Sequence, residues 1–346
     1  MEEFQYTPLD LDHSIFRLVR LFKGDGSDIT CELVHAELGP RNSVIPYEAL
    51  SYTWGGMEKT ATVTVDGKKL PVTLNLYVAL QRLQQKDTER ILWIDAICID
   101  QKNLEERGHQ VKHMADIFRQ AETVIYWLGV GTYETKVAME SIKMLHSESL
   151  KYACKDWTLD DERWKCLWSR IQMELHRKHS NLLSRQREGM RLPLESPWFE
   201  RVWILQEVAN SQAALVCCGD RSVPARTFAL ASSLMGITPA SHCQAVLDIM
   251  PGWSRNGSWW RQNRQLYTLL QKFSGSKASI DRDLIYALLN ISSDARDIDR
   301  LRVDYNKPEP EVVREVIEFL FNLDISETAL EKSLKSQNYY GQLVRK

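Results

Sequence analysis

Residues 91–99 form a nearly continuous apolar run in which Asp95 is the only charged side chain. A strand that is buried on both faces has this composition, because helices cover a parallel sheet on each side. Apolar runs of strand length also occur at residues 47–54 and 123–128, and both are followed by glycine. Segments with helical spacing of apolar residues separate these runs. The alternation predicts an α/β protein with a mostly parallel sheet and helices on both faces.

Three further segments are predicted around this core. Residues 14–22 alternate apolar and polar side chains before a Gly-Asp-Gly turn, and residues 30–37 could pair with them in an N-terminal hairpin. Residues 147–196 are charged and lack a strand pattern, which indicates a helical insertion. No linker rich in Pro, Gly or Ser follows the core. We therefore predict a core domain over residues 1–220 and a helical extension over 221–346 that packs on it.

Composition argues against several classes of partner. The chain has 44 basic and 46 acidic residues, a balance that gives no reason to expect nucleic acid or an anionic membrane. It begins with an acidic segment that lacks the apolar stretch of a secretory signal, and no apolar run reaches the roughly 20 residues of a membrane helix. Its seven cysteines include no C-x-x-C pair, which favours reduced thiols in a cytoplasmic protein.

Candidate ligand contacts lie where the first two apolar strands end. In an open parallel sheet, ligands bind at the carboxyl ends of the strands. Glycine there allows close approach of the backbone, and aromatic rings can stack on a base. The candidates are Ser51, Tyr52, Trp54, Gly55, Asp95, Asp100 and Gln101.

Each of these candidates also has a purely structural interpretation. A buried carboxylate is costly unless it is paired, so Asp95 needs either a ligand or an internal ion pair with Arg107 or Arg201. The aromatic residues at the first strand end could simply pack against one another. Asp100 could cap the helix that follows it.

Three segments carry long, specific motifs. They read YEALSYTWG at residues 47–55, LWIDAICIDQ at 92–101 and WFERVWILQEV at 198–208, and a fourth reads RDLIYALL at 282–289. Together they resemble the heterokaryon-incompatibility (HET) domain of filamentous fungi. The resemblance implies a role in non-self recognition and cell death, an incompatibility partner protein and self-association into a homo-oligomer.

The HET family has in turn been compared with the TIR fold, a flavodoxin-like domain. Some TIR domains cleave NAD at the nicotinamide–ribose bond with one glutamate, in a stretch similar to Ser-x-Trp-Cys-x-x-Glu on the helix after the third strand. Here the corresponding stretch reads SPWFERVWILQE at residues 196–207, with Phe199 in place of the cysteine. Glu200 or Glu207 could take the role, and Glu207 is preferred because it belongs to the HET motif. Alternatively, Glu207 is structural and pairs with Arg201.

The TIR resemblance implies an NAD glycohydrolase. Loss of nicotinamide leaves an oxocarbenium-like ribose, which the carboxylate of Glu207 would stabilise. Aromatic walls would come from Tyr52, Trp54 and Trp203. Polar contacts to ribose or phosphate would come from Asp95, Asp100, Gln101 and Arg201.

Two other functions and a metal site are the alternatives to this activity. The domain could be a signalling module without catalysis that acts by self-association and recruitment, or a different nucleotide-processing enzyme. His109 and His113 lie one helical turn apart, but Gln110 occupies the position of the metalloprotease glutamate and no third ligand is evident. We therefore predict no metal and no cofactor, with NAD as the substrate.

Overall fold

The computed structural model of the protein describes residues 2–40, 45–56, 58–152, 154, 157–296 and 298–322. This part of the chain forms one sheet of nine strands together with thirteen α-helices. The α/β class predicted from the sequence is therefore confirmed.

The strands are β1 (Ile15–Leu21), β2 (Thr30–Glu37), β3 (Glu48–Tyr52), β4 (Ala61–Val65), β5 (Lys68–Val72), β6 (Arg90–Trp93), β7 (Thr123–Trp127), β8 (Ala214–Cys218) and β9 (Arg221–Pro224). Across the sheet they follow the order β5-β4-β2-β1-β6-β3-β7-β8-β9.

The helices are α1 (Leu74–Leu83), α2 (Asp95–Cys98), α3 (Leu104–Gln120), α4 (Tyr133–Ser149), α5 (Glu162–Leu175), α6 (Leu182–Leu194), α7 (Ile204–Asn210), α8 (Ala225–Leu234), α9 (Ser241–Ile249), α10 (Trp253–Gly257), α11 (Leu266–Lys272), α12 (Asp283–Leu289) and α13 (Glu309–Phe321). A 3-10 helix at Pro197–Glu200 precedes α7.

The centre of the sheet has the predicted flavodoxin-like arrangement. Strands β6, β3, β7 and β8 are mutually parallel, and they are the second, first, third and fourth of this block in chain order. Flavodoxin-like sheets bind their ligand where this order reverses, between the first and third strands. In this protein that position lies between the carboxyl ends of β3 and β7.

The prediction of a mostly parallel sheet holds for this central block, whereas both flanks are largely antiparallel. The pairs β1–β2, β1–β6, β4–β5 and β8–β9 are antiparallel, and β2–β4 is parallel. Short hairpin turns can join only antiparallel neighbours, whereas parallel neighbours need a crossover connection. The last hairpin carries the sheet past residue 220, because β9 begins at Arg221.

The predicted hairpin and helical insertion are both present in the described chain. Strands β1 and β2 pair in the register Ile15↔Glu37 to Leu21↔Cys31. The insertion contains α5 and α6, and α6 packs closely on α4. The extension beyond residue 220 contacts the core through α12 and α9, which both touch α7. Residues 323–346 of the predicted extension lie outside the described residues.

Two predicted elements differ from those in the structure. The strand predicted at residues 91–99 stops at Trp93, and the short helix α2 follows, with the Cys98 amide donating to the Ile94 carbonyl at 2.7 Å. A short apolar run has the same composition in a buried strand and a buried helix, so periodicity cannot separate them. The stretch at residues 196–207, which the TIR resemblance places on one helix, is interrupted, because Arg201 is extended and bridges to Lys277.

Asn75 lies in the first turn of α1 but does not cap it. Thr73, rather than Asn75, caps α1 by accepting from the Leu76 amide at 3.4 Å. The Asn75 amide instead donates to the Thr53 carbonyl at 2.5 Å, and its oxygen accepts from the Trp127 indole at 3.1 Å. Asn75 therefore joins the ends of β3 and β7, beside the point where the strand order reverses.

Candidate functional site

A buried glutamate lies beside the carboxyl end of β3. Glu207 occupies the first turn of α7 and is 4% exposed. Ser51 and Tyr52 are the last two residues of β3, and both are fully buried. The HET motif is apolar around Glu207, so α7 packs into the core and carries the carboxylate with it.

One side of Glu207 is organised by Ser51. The Trp198 indole donates to Ser51 Oγ at 2.7 Å, and the Ser51 hydroxyl lies close enough to the Glu207 carboxylate to lower its pKa. Glu207 Oε2 has no hydrogen-bond partner among the described residues. The carboxylate is therefore positioned on one side and left unsatisfied on the other.

The environment of Glu207 raises its pKa to about 7. Burial is the main cause and the nearby Asp95 adds to it, while Arg201 and the Ser51 hydroxyl act in the opposite direction. A carboxyl group with this pKa changes its charge near neutral pH. Such perturbed groups are concentrated at functional sites, although buried structural networks also produce them.

Asp95 is the second carboxylate of the cluster. Its Oδ2 accepts from the Trp54 indole at 3.0 Å, and its backbone carbonyl accepts from the Gln101 amide at 3.0 Å. Burial raises the pKa of Asp95, and Arg201 opposes that shift. Arg201 is thus the cation that acts on Asp95, although the two side chains do not form the ion pair that was one of the predicted alternatives.

The side chain of Arg201 is hydrogen-bonded to the backbone. Its guanidinium donates to the Tyr52 carbonyl, and it forms no ion pair within 4 Å of a carboxylate in the described structure. The buried Tyr52 hydroxyl lacks a hydrogen-bond partner in the same region, and burial followed by Asp95 raises its pKa well above the usual range. Arg201 therefore acts on both carboxylates through its charge at some distance.

The structure brings most of the predicted residues together. This group, the Glu207 cluster, consists of Ser51, Tyr52, Trp54, Asp95, Arg201 and Glu207. Gln101 touches it through the Asp95 backbone. Its members come from β3 and the loop after it, the start of α2, the segment before α7 and α7 itself, so no single element could supply it.

The other predicted contacts lie differently. Asp100 Oδ1 accepts from the Lys102 amide at 3.0 Å, and Asn103 rather than Asp100 caps α3. Gly55 is exposed in the left-handed region at φ +74°, where an added Cβ would lie 3.1 Å from Asn75 Cβ. The Trp203 indole donates to Asp283 Oδ2 at 3.1 Å.

Glu200, the alternative catalytic carboxylate, lies at the surface. Its side chain is 47% exposed and pairs with Lys277 at 2.6 Å. Surface ion pairs of this kind contribute little free energy. Between the two candidates, the buried Glu207 is the better fit to a tuned carboxylate.

Two contributions were missed at the sequence level. Trp198 was noted as part of a motif, but its hydrogen bond to Ser51 joins residues far apart in the chain. Asp283 accepts from both Trp203 and the Tyr305 hydroxyl, at 3.1 and 2.7 Å, and the Arg107 guanidinium lies 5.5 Å from the Tyr305 ring centroid. The RDLIYALL motif at residues 282–289, with Asp304 and Tyr305 after it, indicated these residues but not their contacts.

The described ranges contain neither a candidate metal site nor a candidate membrane-spanning helix. No group of three or more His, Cys, Asp or Glu side chains in those ranges is arranged to hold a metal ion. No helix there combines the length and apolar character needed to cross a bilayer.

Comparison with known proteins identifies related sequences. The family model described as heterokaryon incompatibility protein (HET) matches residues 47–207, a range that includes every member of the Glu207 cluster. A curated relative is "Heterokaryon incompatibility protein 6, OR allele" of Neurospora crassa, 25% identical over 80% of this chain and 47% of the relative. The chain thus spans about half the length of that relative. No solved structure matches the chain at a significant level.

Proposed function

We propose that this chain, whose residues 47–207 match the HET family model, acts in heterokaryon incompatibility as a cell-death effector that hydrolyses NAD. The bond cleaved joins nicotinamide to ribose. One observation supports the enzyme above others: Glu207 is buried, incompletely hydrogen-bonded and has its pKa raised to about 7. It lies beside the strand end at which flavodoxin-like sheets bind ligands.

In the proposed reaction the C1′–N bond breaks and its electron pair leaves with nicotinamide. Positive charge then develops on the ribose ring, and the ionised carboxylate of Glu207 stabilises it. Water adds to C1′ and releases a proton. Nicotinamide is a good leaving group because its ring nitrogen is already cationic, so the site needs no strong general acid.

The remaining residues of the cluster would bind the substrate. The Trp54 indole could pack against the nicotinamide ring, and the Asp95 carboxylate could accept from ribose hydroxyls. Arg201 carries the charge suited to the diphosphate. Trp54 is already hydrogen-bonded to Asp95. Arg201 already acts on both carboxylates, because its charge lowers the pKa values of Asp95 and Glu207.

Access to Glu207 requires movement. The side chain is 4% exposed, so a nucleotide reaches it only after neighbouring groups are displaced. Arg201 is the group best placed to move, since one hydrogen bond to the Tyr52 carbonyl holds it across the strand end. We expect the enzyme to be restrained in this form and to open on assembly or on contact with an incompatibility partner.

The test is NAD consumption by the purified chain at high concentration and under crowding. Glu207→Gln should lower the rate about 100-fold or more, as loss of one electrostatic contact to a transition state commonly does. Glu200→Gln is the matched control and should retain the wild-type rate. Equal rates for wild type and Glu207→Gln would contradict the assignment of Glu207, and absence of cleavage by the wild type under every condition would contradict the enzyme.

A second function is favoured by the enclosure of Glu207. A carboxylate with so little exposure also suits a structural role, in which the domain signals by self-association and recruits a partner protein. Cell death induced by expression of Glu207→Gln, at the level of the wild type, would support this function. Loss of cell death with retained folding and oligomerisation would support the enzyme.

A further inference from the structure

The helix that carries Glu207 is short and depends on other parts of the chain for its position. It has seven residues, Ile204–Asn210, and no side chain caps its first turn. Helices of this length are not stable by themselves in water, so tertiary contacts must fix where α7 begins and how it is oriented. The HET family match ends at Glu207, inside the first turn of this helix.

Residues beyond the family match bond to α7 along its length. The Gln206 side-chain amide donates to the Tyr286 carbonyl at 3.3 Å. The Arg255 guanidinium donates to the Val208 carbonyl at 2.5 Å and to the Ser211 carbonyl at 2.9 Å. Neither side chain bonds to the residue at which the helix begins.

The start of α7 is bonded to a buried carboxylate of the same extension. The helix begins at Trp203, whose backbone carbonyl accepts from the Gln206 amide at 3.1 Å and from the Glu207 amide at 3.4 Å. The Trp203 indole donates to Asp283 Oδ2 at 3.1 Å. Asp283 is therefore connected to the turn that contains Glu207 through one intervening residue.

Asp283 is itself held from two directions. It lies in the first turn of α12 and is 6% exposed. Its Oδ1 accepts from the Tyr305 hydroxyl at 2.7 Å, so each carboxylate oxygen has a donor. The Tyr305 backbone is held in turn, because the Arg282 guanidinium donates to the Tyr305 carbonyl at 2.9 Å. Satisfied buried networks are rigid, so this carboxylate can fix the indole that donates to it.

The charge of Asp283 is not what acts on Glu207. Burial is the main cause of the raised pKa of Glu207, and Asp283 is not among the charged groups that shift it. An effect of Asp283 on the Glu207 carboxylate must therefore pass through Trp203 and the first turn of α7. Substitutions can separate such an effect from an electrostatic one.

We propose that Asp283 is a positioning residue for Glu207, because it holds the Trp203 indole and so keeps the first turn of α7 in place beside β3. The functional unit then extends beyond the family match and includes the segment that contains Asp283 and Tyr305. In its bearing on catalysis this role rests on the proposed hydrolysis of NAD, whereas the position of Glu207 is measured without NAD.

The first test is a double-variant cycle followed by ¹³C NMR titration of the Glu207 carboxyl. Asp283→Leu replaces the carboxylate with an apolar side chain of similar size. It should lower the pKa of Glu207 from about 7 to about 6 or below, because a loosened first turn admits water to a carboxyl whose pKa is raised by burial. Trp203→Phe, which removes the indole N–H, should lower it similarly. In the Trp203→Phe background, Asp283→Leu should add nothing. Additive shifts would overturn the route through Trp203.

Two further variants separate positioning from charge and from general stability. Asp283→Asn keeps an oxygen for the indole and can donate its amide to the Tyr305 hydroxyl oxygen, so the pKa of Glu207 should stay at the wild-type value. Asp294→Ala is the matched control, since Asp294 accepts from the Leu266 amide at 2.8 Å and makes no bond to α7 in the described part of the chain. A shift in Asp283→Asn as large as that in Asp283→Leu would contradict a role in positioning.

The second test is hydrogen exchange of the Glu207 amide, with the Val124 amide of β7 as the reference. Asp283→Leu should speed exchange at Glu207 about tenfold or more relative to Val124, whereas a general loss of stability speeds both amides alike. Equal acceleration of the two amides would overturn the proposal. If Asp283→Leu does not fold, Trp203→Phe alone decides, and an unchanged Glu207 in that variant would overturn it. A wild-type chain that cleaves no NAD would contradict the proposed hydrolysis and leave these outcomes as they are.

Discussion

Two buried glutamates of this protein differ in how completely they are satisfied. Glu106, 1% exposed, is held by Arg17 at 2.6 and 3.0 Å and also accepts from the Asp100 amide at 2.8 Å. Glu207 is almost as buried, yet its Oε2 has no partner in the described structure and the nearest cation bonds to a backbone carbonyl. The first arrangement is that of a structural ion pair, and the second leaves a carboxylate free to respond to a ligand.

The difference shows why burial alone is a poor guide to function. Arg17 is itself fully satisfied, since it also donates to the Cys98 carbonyl at 3.0 Å and the Thr7 carbonyl at 2.7 Å. A saturated network stabilises one conformation, whereas a partly satisfied one costs stability in the resting protein. Proteins tolerate that cost chiefly at functional sites.

The largest effect should come from breaking the satisfied pair. Arg17→Met leaves the Glu106 carboxylate buried without its cation, which should lower the free energy of unfolding by about 4 kcal/mol. Urea unfolding followed by tryptophan fluorescence measures this. The double variant Arg17→Met/Glu106→Leu should recover most of the loss, and a double variant as unstable as the single one would show that the pair is not the cause.

Removing the charge of Glu207 should raise the free energy of unfolding, whereas breaking the Arg17–Glu106 pair lowers it. Its folded pKa of about 7 exceeds the 4.5 of an unperturbed glutamate, so the folded state binds a proton more tightly than the unfolded state. The free energy of unfolding therefore falls as pH rises from about 4.5 to 7. Glu207→Gln removes this fall and should gain about 3 kcal/mol relative to wild type between pH 4 and pH 8.

The measurement is urea unfolding of wild type and Glu207→Gln at pH 4, 6 and 8. Glu200→Gln serves as the control, because the Glu200 side chain is 47% exposed. Identical pH profiles for wild type and Glu207→Gln would mean that folding does not change the pKa of Glu207. The comparison with Glu106 would then lose its basis.

A smaller effect is expected when the positioning of Glu207 is removed. Ser51→Ala leaves the buried Trp198 indole N–H without its acceptor, which should cost about 2 kcal/mol. It should also raise the pKa of Glu207 further, because the Ser51 hydroxyl lowers it. Titration of the Glu207 carboxyl by ¹³C NMR tests the pKa, and Ser51→Thr, which keeps a hydroxyl, should shift it less. A lower pKa in Ser51→Ala would contradict the assigned contact.

The smallest effect should come from the exposed ion pair beside the cluster. Lys277→Met breaks the contact with Glu200, but the Lys277 side chain is 72% exposed and its backbone bonds to residues 200–202 remain. Surface pairs contribute at most about 1 kcal/mol. Thermal unfolding should therefore change little, and a loss comparable to that of Arg17→Met would show that this pair is part of the buried network.

Much of the fold was predictable because it depends on local patterns. The apolar run at residues 123–128 became β7, and the helical spacing that separates it from the run at 91–99 became α3. The run at 91–99 was misassigned beyond Trp93, because a fully apolar segment has no period that separates strand from helix. The break at Arg201 was missed for another reason: it depends on pairing with Lys277, which is distant in the chain.

The sequence by itself determined the alternation of strands and helices and the identity of the chemically capable side chains, Ser51, Asp95, Arg201 and Glu207 among them. Only the tertiary structure decided which of these groups meet, which partner each one takes and how Glu207 is protonated. The reason is physical. Desolvation and hydrogen bonding depend on every group within a few ångströms, and the Trp198–Ser51 contact that orders this site spans 147 positions of the chain.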